Sequence, residues 1–311
     1  MTGMLTLLLV SMIIFGIMRV LPGDVARIML GGTGEGAVID EGQLHAVREQ
    51  LGLNRPLHEQ YLMWLSGFLR VDLGNSYRYK TPVFDELKNR IPVTLELATL
   101  TMVVATLLAV PLGVLSAMRP GTWADYLSRM FGIVGLALPT FVAGTLVILV
   151  LSILFHWVPP LFYSDLFADP VENIKQMIWP AVALGLYFTA AVSRMMRSQM
   201  LEVLRDDYIR TAWAKGLRES VVIARHALRN AILPVVTIIG LQYAVLLGGT
   251  VIMEQIFAIP GLGRALIEAI LFKDIPLVQT IIVVFSATIV AINIAIDLLY
   301  VYLDPRVRLQ S

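Results

Sequence analysis

The stretch Asp206-Asp-Tyr-Ile-Arg-Thr-Ala-Trp-Ala-Lys-Gly216 groups residue types suited to docking rather than to making or breaking bonds. A carboxylate at Asp206 or Asp207 can accept the orphan amide bonds of a helix start and favours the helix dipole there. Lys215 falls in the last turn, and Gly216 suits the left-handed position just beyond it. These signals predict a helix of about two turns, too short to be stable without a surface to rest on. Tyr208, Ile209 and Trp213 are its apolar anchors, and the small Ala212 and Ala214 would let it enter a groove. Nothing elsewhere assembles reactive chemistry. His45, His58, His156 and His226 are scattered without ligand spacing, and there is no cysteine. The chain has no Gly-x-x-x-x-Gly-Lys-Ser/Thr loop, and no His-Glu-x-x-His or Gly-x-Ser-x-Gly motif. The expectation is a chain with no catalytic residue, no metal site and no bound cofactor.

Composition dictates the setting of that helix. Of the 311 residues, 57% are hydrophobic and 15% charged, with a mean hydropathy of +0.76. A soluble domain carries about a quarter charged residues. The apolar residues also run together in lengths that cross a hydrocarbon core, which takes about 20 residues. Six such runs lie near 4–21, 93–118, 130–155, 177–196, 231–253 and 276–303. Within lipid the backbone must satisfy itself, so the runs are expected to be helices, kinked at Pro111, Pro139, Pro180 and Pro234. The first run lacks a basic leader and a small-residue cleavage site, so it is read as a retained span. The net charge of +1 gives no reason to expect nucleic acid.

Orientation follows the short loops. Eight Lys and Arg lie in 194–230, and Arg119 and Arg129 lie between the second and third runs. On the other side, Lys175 stands against Asp165, Asp169 and Glu172, and Arg264 and Lys273 against Glu254, Glu268 and Asp274. The positive-inside rule puts the basic loop and both termini in the cytoplasm, and the alternation of spans, not its own charges, puts the long 22–92 segment outside. That outer segment reads as helical. Asp40 with Gln43 resembles a capping box, Leu44, Val47 and Leu51 repeat at helical spacing, and Gly52 stops them. Leu57, Tyr61, Trp64, Leu65 and Phe68 share one face after Pro56. Asp72-Leu-Gly74 turns the chain, and Thr81-Pro82 predicts a third short helix ending before Pro92. A cap over the span ends is the simplest reading, and a gate or docking surface is compatible with it. Among polar residues in or near spans, Arg19 and Glu96 are expected to reach the interface, and Asp297 to pair with a basic residue. Gly240, Gly248 and Gly249 permit close helix packing.

Thr211-Ala212 followed by Gly216 resembles the degenerate EAA-to-Gly signature of permeases in binding-protein-dependent ATP-binding-cassette importers. The longer string Asp207-Tyr-Ile-Arg-Thr-Ala-Trp-Ala-Lys-Gly216, with His226-Ala-Leu-Arg-Asn-Ala-Ile-Leu-Pro-Val-Val236, resembles the dipeptide/oligopeptide/nickel branch. So do Leu51-Gly-Leu with Pro56, Gln60-Tyr61 and Asp72-Leu-Gly74; Pro92-Val-Thr-Leu-Glu-Leu97; Glu254, Phe257 and Pro260-Gly-Leu-Gly263; and Asp304-Pro-Arg306. Thr211 stands where the general signature has a glutamate.

The resemblance implies an all-α membrane protein of six transmembrane helices with the type I importer permease fold and a helical extracytoplasmic segment after the first span. It implies a division into 1–91, a 92–304 permease core and a 305–311 cytoplasmic tail. It further implies a coupling helix at about 206–217 that uses Asp207, Tyr208, Arg210, Ala212, Ala214, Lys215 and Gly216. An outer gate or binding-protein contact would fall at Tyr61, Trp64, Asp72, Gly74, Pro260, Gly261 and Gly263. The implied partners are a homologous second permease in a heterodimer, two ATP-binding subunits that carry ATP and Mg, an extracytoplasmic solute-binding protein and membrane lipid. The implied place is a bacterial or archaeal inner membrane, and the implied cargo is di- or oligopeptide. A self-sufficient secondary transporter or channel is the alternative, and it would need mid-span ion-binding carboxylates or a filter loop, of which the spans show little.

Overall fold

A computed structural model describes residues 2–20, 40–50, 52 and 54–303. The glycine-rich 31–36 stretch, Leu51, the Asp304-Pro-Arg306 ending and the 305–311 tail lie outside the described residues. The helices are α1 (Thr2–Val20), α2 (Glu41–Gln50), α3 (Leu57–Leu69), α4 (Val83–Met118), α5 (Trp123–Ala137) and α6 (Thr140–Phe155). Then follow α7 (Pro170–Val203), α8 (Asp207–Ala214), α9 (Glu219–Ile256), α10 (Leu262–Leu271) and α11 (Ile275–Leu303). Among the described residues the one β feature is an isolated bridge between Asn75 and Pro82.

Five helices, α1, α4, α7, α9 and α11, are long and apolar enough to cross a membrane, and the bent pair α5–α6 makes the sixth passage when taken as one span. The expected spans at 177–196 and 231–253 are the apolar middles of longer helices, and 93–118 is the C-terminal part of one. α4 has 36 residues, about 54 Å at 1.5 Å per residue, well beyond a hydrocarbon core of about 30 Å. The expected short helix ending before Pro92 is therefore corrected, because it continues unbroken as α4. Proline at 92 forfeits one ladder bond, and burial of Val83, Leu87, Val93 and Leu97 on that helix outweighs it. Helix also continues through Pro111, Pro180 and Pro234. At Pro139 it does not: α5 and α6 meet at 107°. Leu138, which precedes the proline, is extended at φ −80°, ψ 119°, as the proline ring demands.

The chain divides into two compact units. The first comprises the described parts of 1–92 with Arg264–Val290. In it Ser11 and Tyr61 share a hydrogen bond of 2.8 Å, and Phe15, Tyr61, Trp64 and Phe68 form a run of ring contacts between α1 and α3. Asp40 caps α2 by accepting from the Gly42 amide at 3.2 Å.

The second unit holds Val93–Gly263 and the rest of α11. Its axis is α7, where Met177, Ala181, Leu184, Phe188, Val192, Met196 and Met200 are buried at steps of three and four. α5, α6 and α9 pack around it. Small residues set the approach. A Cβ on Gly113 would lie 2.6 Å from Met196 Cβ and 2.7 Å from the Ser193 carbonyl, and one on Gly135 would lie 2.8 Å from the Leu186 carbonyl. Gly240 meets Ile296 and Gly249 meets Leu184, whereas Gly248 faces open space. Leu107, Ile153, Leu154 and Val245 are exposed apolar side chains of α4, α6 and α9, suited to lipid contact. Near its start α9 carries a π-helical turn, Val222–Ala227. Gly113→Val is expected to lower stability by about 1–3 kcal/mol through overpacking against Met196, seen as a fall in the thermal unfolding midpoint in detergent. An unchanged midpoint would refute the tight α4–α7 approach.

Candidate functional site

α8 follows the carboxyl end of α7 after three residues. Asp206 is its extended N-cap, but the Asp206 side chain makes no capping bond, which corrects the role expected for it. Asp207 pairs with Arg210 at 3.3 Å in full view of solvent, an arrangement worth little. The helix ends sharply. Gly216 has φ +72°, its amide donates to the Trp213 carbonyl at 2.9 Å, and the Leu217 amide donates to the Ala212 carbonyl at 3.4 Å. This is the Schellman pairing that only a left-handed residue allows.

The two faces of α8 have different partners. Ile209 and Ala212 are buried in a cluster with Met200, Val203, Val222 and Ile223 of α7 and α9. Ala212 thus anchors the helix to its own chain and does not line an outward groove. The outward face carries Tyr208, 40% exposed, Trp213, 45% exposed, and exposed Ala214 and Leu217. Arg205, Arg210, Lys215 and Arg218 surround it, all exposed. Asn230 Nδ2 donates to the Tyr208 hydroxyl at 2.7 Å and so ties α8 to α9.

A buried carboxylate that sequence reasoning missed joins α4, α5 and α7. Asp125 is fully buried and accepts from Ser116 Oγ at 2.5 Å and the Gly121 amide at 3.0 Å. It also accepts two bonds from Arg129, at 3.0 and 2.7 Å, and two from Arg197, at 3.0 and 3.3 Å. The Asp125–Arg129 spacing is visible in the sequence, but Arg197 reads there as one more cation of a basic loop.

On the opposite side of the spans the second unit holds Pro260, Gly261 and Gly263. Glu254 is buried and accepts from Thr94 Oγ1 at 2.7 Å, and Thr94 Oγ1 accepts from the Leu262 amide at 2.8 Å. The glycines close this turn: a Cβ on Gly261 would collide with the Glu254 carboxylate, and one on Gly263 with the Val251 backbone. Glu96 accepts from the Tyr163 hydroxyl at 2.8 Å. Burial first, then that bond, pushes the Tyr163 hydroxyl pKa up. Asp297 is exposed, and Arg306 and Arg308, the basic residues that follow it, lie outside the described residues.

Tyr61, Trp64, Asp72 and Gly74 belong to the first unit, whereas Pro260, Gly261 and Gly263 belong to the second. Beyond Gly74 a turn is held by acids of the α10–α11 region. Ser76 and the Arg78 amide donate to Asp274, and the Tyr79 hydroxyl donates to Glu268 at 2.6 Å. The Arg78 guanidinium lies 3.5 Å from the Phe272 ring centroid. Burial opposes the charge on Glu268, but the bonds from Tyr79 and Arg264 hold its pKa below the ordinary value. Burial and the nearby Asp274 carboxylate push the Tyr77 hydroxyl up to about 12.

Comparison with known proteins covers nearly the whole chain. Residues 109–309 match the family described as binding-protein-dependent transport system inner membrane component, and 1–98 match its N-terminal companion. The glutathione transport system permease protein GsiC of Escherichia coli O6:H1 is 37% identical over 303 residues, 97% of this chain and 95% of that protein. The dipeptide transport system permease protein DppB of Alkalihalophilus pseudofirmus is 37% identical over 319 residues, covering 96% and 94%. Among solved structures, the inward-facing MetNI methionine ABC transporter aligns with a TM-score of 0.59 at 16% identity, over 72% of this chain and 98% of that one. An amino acid ABC transporter crystallised with histidines aligns at 0.53 and 15%, over 76% and 97%. The last two speak to fold alone.

Asp125→Ala leaves Arg197, 23% exposed, without its carboxylate. It is expected to cost about 3–5 kcal/mol, as breaking a buried pair does, while Arg129→Ala costs less because Arg129 is half exposed. Equal midpoints for Asp125→Ala and wild type would remove Asp125 from its central place. Glu268 has a lowered folded pKa, so its stabilisation is complete above its unfolded pKa of about 4.3 and is lost as pH falls through the folded value. The gap in melting temperature between wild type and Glu268→Gln should therefore hold near neutral pH and close below about pH 4. A gap independent of pH would contradict the ion-pair account.

Proposed function

Because the chain belongs to the family of binding-protein-dependent transport system inner membrane components, we propose that it is a permease subunit of an ATP-driven importer, forming half of the translocation pore. It pairs with a homologous second permease as a heterodimer and docks two ATP-binding subunits that carry the ATP and Mg and perform the hydrolysis. An extracytoplasmic solute-binding protein delivers the cargo. The basic loop, both termini and α8 face the cytoplasm of a bacterial or archaeal cell. The cargo is di- or oligopeptide, a reading supported by relatives named for dipeptide and glutathione transport.

The observation that carries the coupling role is the split character of α8. Ile209 and Ala212 hold it to the chain, and the Schellman stop at Gly216 fixes its length. Tyr208, Trp213 and Leu217 are left exposed, with Arg205, Arg210, Lys215 and Arg218 exposed beside them in the chain. An eight-residue helix cannot stand alone in water, so a displacement applied to its outer face passes into the cluster with α7 and, through Tyr208 and Asn230, into α9. ATP-driven closure of the partner subunits would move these helices and open the pore outward, and hydrolysis would reset it.

Trp213→Asp tests this on a residue that the fold does not bury. The permease pair should still assemble in the membrane, while its affinity for the ATP-binding subunits falls at least about 30-fold, the scale of a lost tryptophan anchor of about 2 kcal/mol. ATPase stimulation by binding protein in liposomes should fall with it. Gly216→Val, which strains the stop, should do the same. Retained stimulation in both variants would show that α8 is not the transmission element.

A further inference from the structure

We propose that the first unit holds a binding site for a zwitterionic phosphate–amine group, placed in a cavity of about 410 Å³. Its lining includes Arg19, Tyr77 and Gln279 on the buried side and Glu49, Arg55 and Asp72 on the exposed side. Gln279 is only 4% exposed, and its Nε2 has no hydrogen-bond partner among the described residues. Arg19 Nε is likewise buried without one among the described residues, and the guanidinium lies over the Phe15 ring. Both residues line the one cavity, and an unpaired buried donor is destabilising. An acceptor oxygen fills that need.

Charge and depth define the acceptor. Arg19 and Arg55 are balanced by Glu49 and Asp72, so a ligand carrying both signs fits better than a polyanion. The phosphate oxygen meets Arg19 and Gln279, and the amine meets the exposed carboxylates. Arg19 is in the last turn of α1, and Gln279 lies five residues into α11. Both helices are apolar enough to cross a membrane, so their ends reach the depth of lipid headgroups. Trp64 lines the same cavity, as aromatic side chains do at that depth. The shared chemistry is phosphoethanolamine, reaching the site as a lipid headgroup or as a free phosphoester.

The test measures the thermal unfolding midpoint of the full chain in two settings. In one, detergent-purified protein is titrated with phosphoethanolamine. In the other, nanodiscs of a phosphate-free galactolipid are compared with the same discs containing phosphatidylethanolamine. Ligand that binds the folded state alone raises the midpoint by mass action. The expected result is a rise of several degrees for wild type in at least one setting, absent in Gln279→Leu and Arg19→Gln. A response in discs alone makes the lipid headgroup the ligand, and a response in detergent makes it the free phosphoester. No rise for wild type in either setting overturns the site. So does an undiminished rise in Gln279→Leu, or, where that variant fails to accumulate, in Arg19→Gln.

Discussion

Lipid tails are as apolar as leucine, so helices inside a bilayer gain nothing from hiding apolar surface from water. What holds them is close van der Waals contact and the pairing of polar groups that have no other solvent. The second unit is built on that constraint. α7 supplies an apolar stripe from Met177 to Met200, and its neighbours approach where a glycine removes the obstacle, at Gly113 and at Gly135. Farther along, Gly144 lets α6 lie against Met253.

Polar pairing does the rest, and it is concentrated at the helix ends. Asp125 gathers donors from three helices, and Glu254 is held by Thr94 beneath a turn that only glycines can close. In the first unit Asp274 and Glu268 organise the turn after Gly74. Each carboxylate fixes where one segment meets another, and Asp125, Asp274 and Glu268 are each satisfied by several donors, the condition for holding charge away from water. α8 fits the same pattern, with an apolar anchor on one face and a single side-chain bond to α9.

Much of this was legible in the sequence because composition and periodicity are local. The spans, the short helix with its glycine stop and the aromatic face of α3 all follow from residues within a few turns of one another. The misses are places where distant residues decide. Pro92 looked like a helix end, but burial along α4 overrode it, whereas Pro139 broke its helix. Asp206 looked like a capping side chain and Ala212 like an outward one. Asp206 makes no cap bond, and the face of α8 that is buried was set by Met200, Val222 and Ile223, which no local pattern reveals. Arg197 looked like a topology signal and proved to be the partner of a buried acid 72 positions earlier. Residues such as Gln279, whose meaning comes from a cavity formed by segments far apart in the chain, carry no local signal at all.

The π-helical turn at Val222–Ala227 fixes the count of residues between α8 and the membrane-crossing part of α9. Such a turn holds one residue more than regular helix, and one residue is about 100° of rotation. That extra residue brings Val222, Ile223 and Ala227 into phase with Ala231 and Val235, all buried in one cluster. Removing a single residue here would swing the start of α9 by nearly a third of a circle and turn the α8 attachment away from the core. A loop such as 156–169 can absorb an insertion at its surface, but this turn sets the clocking between two parts of the molecule.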